Sequence, residues 1–136
     1  MVTGCRLPRP AGFCRAVVAA AVLSGAPSSL HAIATRRPLL ASTRAAGSLL
    51  GRGTVPRGVA AHLVLSAGWT TAIAAVLPRS RPIVWGAVLG AGIAALDLTV
   101  ARRRFPAIAR LPGWPQLADH VAFGVLAAVA IDRERR

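Results

Sequence analysis

Residues 59–101 read VAAHLVLSAGWTTAIAAVLPRSRPIVWGAVLGAGIAALDLTVA, and this stretch decides the fold. Its first half, 59–77, is 19 residues of almost unbroken apolar sequence, about 28 Å if helical and enough to cross a hydrocarbon core of about 30 Å. PRSRP at 78–82 breaks it. A second apolar run, 83–101, follows and stops at Arg102, Arg103 and Arg104. So short a link predicts that the second helix returns antiparallel beside the first.

Composition supports a membrane reading for the whole chain. Hydrophobic residues make up 54% of the 136 positions and charged ones only 15%, an unusual balance for a water-soluble globule. The length suits one domain. The net charge of +13 is carried by 17 arginines and no lysine, and these fall between the apolar blocks. Few aromatic residues and no nucleic-acid module accompany them, so nucleic acid is not an expected partner. Arginines at membrane ends contact lipid phosphates and set topology. The wealth of Ala, Gly, Val, Pro and Arg also matches a GC-rich bacterial genome. Cys5 and Cys14 are nine residues apart with no histidine at ligand spacing, which predicts unpaired thiols.

Outward from the two clear spans, the picture has more branches. The N-terminal residues 1–15 are basic and Pro-rich, and read as an irregular tail. Residues 16–34, AVVAAAVLSGAPSSLHAIA, have a short apolar core and are interrupted by Pro27. A cleaved signal peptide would put Pro27 directly after the Ser24-Gly25-Ala26 site, which is unfavourable. A kinked first transmembrane helix is the leading reading and a re-entrant segment its rival. Residues 38–50 predict a short helix with Pro38 at its first helical position and Gly51 as its stop, lying in the interface or packed on the bundle. The fourth apolar segment, QLADHVAFGVLAAVAI, reaches spanning length if counted from Trp114, an interfacial anchor. The expected fold is all-α: an integral membrane bundle of four transmembrane helices, the first kinked or re-entrant, plus a short interfacial helix. The expected division is a basic tail at 1–15, the bundle at 16–131 and a charged tail at 132–136. Four alternating spans split the arginines eight against nine between the two sides, which decides no orientation. The basic first fifteen residues favour cytoplasmic termini.

Alternation places His31, His62, Asp97, Asp119 and His120 toward one side of the membrane, so the ionisable residues form a layer. On a helical wheel Gly86, Gly90, Ala94 and Asp97 share one arc. Small residues so spaced make a close-packing surface in membranes, and Asp97 continues it inward. His62 shares a face with Ser66, Trp69 and Ile73; His120 shares one with Gly124 and Ala127. Around Asp97, positions three and four residues away on its own helix are Ala94, Ile93, Val100 and Ala101. Its partner is therefore expected on another helix, with His62 and His120 at matching depth. Two roles stay open: an interhelical bond that fixes register, worth about 1 kcal/mol, or a proton- or ligand-binding site.

Other chemistry fits poorly. No pair of ligands has metal-motif spacing, so neither a metal nor a haem or other cofactor is expected. Ser66, His62 and Asp97 lack the sequence around a nucleophile that a hydrolase needs, and the glycines form no phosphate loop.

The landmarks SGAPSSLHAIAT, RAAGSLL, LPRSRPIVWGAVLGAGIAALDL, RRFPAIARLP and PQLADHVAFGVL together resemble an uncharacterised family of small multi-pass membrane proteins of actinobacteria. The resemblance covers 24–126. It implies a multi-pass protein of the bacterial inner membrane, without implying a reaction. The expected function is that of a non-enzymatic structural or interaction subunit, with the lipid bilayer, a second copy through the glycine stripe, or another membrane protein as partner. The alternative is a small transporter or proton-coupled carrier using Asp97 and a histidine.

Overall fold

The computed structural model describes residues 10–136, and all its regular structure is helical. The elements are α1 (Pro10–Leu23), α2 (Ala26–Ala34), α3 (Ala41–Gly47) with a 3₁₀ turn at Ser48–Leu50, α4 (Val55–Val76), α5 (Pro82–Arg104), α6 (Pro106–Ala109) and α7 (Gly113–Arg135). Four segments are long and apolar enough to cross a membrane: Ala11–Ala34, Val55–Val76, Pro82–Arg104 and Gly113–Arg135. The protein is a multi-pass membrane bundle.

The first span is α1 and α2 together, broken at Ser24 and Gly25. Pro27 lies in the first turn of α2, where its missing N–H and fixed φ suit a new helix start. The segment runs the length of the bundle. Arg15, near the start of α1, lies 3.4 Å from Glu134 at the end of α7. His31, near the end of α2, packs edge-on against Trp114 at the start of α7, with ring centroids 4.9 Å apart. The expected re-entrant alternative is thereby replaced by a broken crossing helix. The expected tails also contract: α1 already begins at Pro10, and α7 runs through Arg135. Residues 1–9, including Cys5, lie outside the described part, while Cys14 is an exposed free thiol.

The short helix starts three residues later than expected, at Ala41, because Pro38 lies in the loop and turn leading into it. Its stop is as read: Gly51 has φ of 96°, a conformation that glycine adopts without strain. α3 packs on the beginning of α4, where Gly58 leaves room for the Thr43 carbonyl.

α7 is the organising helix. It packs antiparallel on α5 along a glycine seam, and also touches α1, α2 and α4. A Cβ added at Gly86 would lie 2.6 Å from the Gly124 carbonyl oxygen, so these backbones meet without side chains between them. Gly90 and Gly124 are equally tight, and Ala94 is fully buried on the same side. The small-residue stripe is thus filled within the chain, by α7. The rest of the core mixes Ala20, Ala74, Ala127 and Ala128 with the larger Ile73, Leu77, Ile93, Phe123 and Ile131. The alanines let helices approach closely, the main source of association in lipid. The outer faces present large apolar side chains such as Val22, Val64, Val88 and Val100, as lipid-facing helices must.

α4 and α5 depart from the expected side-by-side pair. Although joined by a few residues, they touch sparingly, and α7 contacts both. Their divergence opens the space described below. Arginines close the ends of the bundle by hydrogen bonding free carbonyls. Arg135 donates to the Ala74 and Leu77 carbonyls at the end of α4. Arg102 donates to those of Ala109 and Leu111, at 2.9 and 3.2 Å. At the end of α2, the Arg37 N–H reaches the Ala32 carbonyl and the Arg36 N–H that of Ile33, a Schellman closure. Arg36 occupies its left-handed position, with φ of 54°.

Candidate functional site: a cavity at the broken helix

A helix broken inside a bilayer exposes carbonyls at the end of its first half and N–H groups at the start of its second. Where lipid replaces water, those groups must find partners in the protein. Here two other helices supply them. The Ala21 carbonyl, in the last turn of α1, accepts from His62 Nε2 on α4 at 2.8 Å. The Ser28 N–H, in the first turn of α2, donates to Asp119 Oδ1 on α7 at 2.9 Å. An anionic or polar oxygen at a helix N-terminus also suits the helix dipole. The Ser28 hydroxyl turns back onto the Gly25 carbonyl at 3.3 Å. The break is closed from both sides, by the very layer of residues that alternation of the spans brings to one depth.

Asp97 faces its partner across the α5–α7 seam. Its Oδ2 lies 2.8 Å from His120 Nε2, while His120 Nδ1 donates to the Gln116 carbonyl at 2.7 Å. The carbonyl can only accept, so Nδ1 carries a hydrogen. One further proton lies between Nε2 and Oδ2. On nitrogen it makes an imidazolium–carboxylate pair; on oxygen, a neutral imidazole facing a carboxylic acid. Either arrangement is neutral overall, and loss of that proton would leave one uncompensated charge in a low-dielectric place. The pair therefore shares a single proton. Of the two histidines expected to partner Asp97, it is His120 that does so, whereas His62 is committed to the broken helix.

These residues line one cavity of about 670 Å³ between α4 and α5, with α7 and the α1–α2 break behind it, within the size range of small-molecule sites. His62, Ser66, Asp97, Asp119 and His120 all contribute to its wall. Ser24, Ser28, Ser42 and Gln116 add polar atoms, and Leu63, Trp69, Ile93 and Phe123 add apolar surface. Among the described residues, no arginine lines it. The Trp69 indole N–H is buried without a hydrogen-bond partner, as is the hydroxyl of fully buried Thr70 beside it. His31, expected in the same layer, is at the right end of the bundle but lines a separate pocket of about 500 Å³ with Arg37, Arg44 and Arg110. Among the described residues, no three His, Cys, Asp or Glu side chains converge as a metal site.

Sequence reasoning missed the contributions of Ser28, Trp69 and the Ala21 carbonyl. The signal for the first and last was Pro27. A proline three residues after a serine and two after a glycine breaks the helix outright, and a break in lipid requires polar partners nearby. Trp69 shares the face of His62 and Ser66, and that placement was legible. No family model, curated protein or solved structure matches the chain.

Proposed function

We propose that the protein is a small proton-coupled carrier of the bacterial cell membrane, without enzymatic activity, that takes a small solute into the cavity at the break of its first span. The observation that carries this reading is the convergence of α1, α2, α4, α5 and α7 on one mainly apolar space into which His62, Ser66, Asp97, Asp119 and His120 bring polar groups. Carriers commonly build their sites from discontinuous helices, whose free backbone groups and half-helix ends supply polarity where a continuous helix cannot. Asp97 and His120 would share the exchangeable proton. Asp119 would sense the solute and, through Ser28, the position of α2. The bacterial setting follows from the resemblance noted above.

A deletion strain complemented with Asp97→Asn tests the reading. Asn preserves the shape of Asp97 and can hydrogen bond to His120, but it cannot exchange a proton. The carrier reading expects Asp97→Asn to reproduce the deletion's growth or flux phenotype while the protein remains in the membrane at wild-type level. Full complementation by Asp97→Asn would instead favour the second reading, a structural or interaction subunit. That reading draws on one specific feature: the Asp97–His120 bond extends the Gly86–Gly90–Gly124 seam and so strengthens the α5–α7 contact.

A further inference from the structure

We infer that the ligand of this cavity is a lipophilic monocation, an ammonium-type charge carried on an apolar body. The inference deepens the reading of the cavity as a binding site and rests on it.

The charges point this way. The chain has four acidic residues. Asp97 is paired with His120, Asp132 with Arg136 and Glu134 with Arg15. Asp119 alone has no ionic partner among the described residues, in a chain with 17 arginines. It lies on the cavity wall, held by one backbone N–H from Ser28. An anion entering the cavity would meet two carboxyl side chains, with His62 committed to the Ala21 carbonyl, His120 to Asp97, and no arginine among the described residues. A cation would meet a carboxylate without a counter-ion, and its arrival favours the ionised form of that group. The remaining wall suits an apolar body. Leu63, Ile93 and Phe123 line it, and Trp69 adds the ring type that attracts cations most strongly. The Asp97–His120 pair, neutral overall, leaves Asp119 as the site of charge recognition.

Two probes of the same shape and opposite charge decide the matter: tetraphenylphosphonium and tetraphenylborate. The protein is purified free of lipid in a neutral detergent. Trp85→Phe and Trp114→Phe leave Trp69 as its one indole, since the chain has three tryptophans. Saturable quenching of Trp69 by the phosphonium, with no saturable quenching by the borate, is the expected result. Asp119→Asn should weaken phosphonium binding at least about tenfold, a loss of about 1.4 kcal/mol, while Asp119→Glu should retain most of it. The Asn side chain still accepts from the Ser28 N–H, so an unchanged elution profile and helix content show that the fold survives. Borate binding as well as or better than phosphonium, or phosphonium binding indifferent to Asp119→Asn, overturns the inference. So does the absence of binding by either probe. The complementation assay with Asp97→Asn judges the carrier reading separately.

Discussion

Substituting Gly90 by Ala tests whether the glycine seam positions the cavity. A Cβ at Gly90 would lie 2.9 Å from Val121 Cα and 3.1 Å from the His120 carbonyl carbon, and closer still to the His120 carbonyl oxygen. These neighbours are backbone and cannot rotate away. α7 must retreat by about 0.5–1 Å, a gap that forfeits a quarter to a half of each van der Waals contact along the seam. Overpacking of this kind costs about 1–3 kcal/mol, offset in part by the roughly 1 kcal/mol that Ala gains over Gly in a helix. The same retreat stretches the Nε2–Oδ2 bond, now 2.8 Å, toward the limit near 3.5 Å where it ceases to count. A net destabilisation of about 1–2 kcal/mol is expected, measured by reversible denaturation in mixed micelles. Gly92→Ala is the internal control. Nothing lies within 4 Å of a Cβ there, so only the propensity gain of about 0.5–1 kcal/mol should remain. Equal effects at the two positions would refute the close α5–α7 approach.

Asp97→Leu should destabilise the bundle by about 1–2 kcal/mol by stranding His120, and adding His120→Leu should recover part of that loss in a double-mutant cycle. Arg36→Gly should stabilise the protein by about 0.5–1 kcal/mol in the same denaturation assay, because glycine adopts the left-handed conformation at this helix end without strain. Reporter fusions after Arg52 and at the C-terminus should report opposite sides of the membrane, and fusions after Arg15 and at the C-terminus the same side; Arg15 and Arg52 on one side would contradict a crossing first span.

The spans themselves were legible because each is a run of apolar residues bounded by Arg, Pro or Gly, and length against bilayer thickness is a strong constraint. The inward direction of Asp97 was legible from its arc with Gly86 and Gly90. The choice of His120 over His62 was not. Both lie at the right depth, and the choice depends on α7, not α4, being the neighbour of α5. Loop length argued the reverse: a five-residue link suggests that α4 and α5 pack together, yet the glycines of α5 find closer contact with Gly124 of α7. That exchange of neighbours opens the cavity, so the cavity could not be read from the chain. Nor could the role of Asp119. Its position gave its depth, but its partner is the N–H of a helix start that exists only because the first span breaks.

The most direct test is whether water reaches the cavity inside the bilayer. Ser66 lines the cavity, while Val64, two residues earlier on α4, is 71% exposed on the outer face of the bundle, only about 3 Å away along the axis. Each is replaced by Cys in a chain carrying Cys5→Ser and Cys14→Ser, in native membranes, and treated with a membrane-impermeant cationic methanethiosulfonate reagent. Modification requires a thiolate, and hence water. Ser66→Cys should react from one side of the membrane and be protected by tetraphenylphosphonium, while Val64→Cys should stay unmodified in lipid. An inert Ser66→Cys, or a Val64→Cys that reacts as fast, would contradict the account.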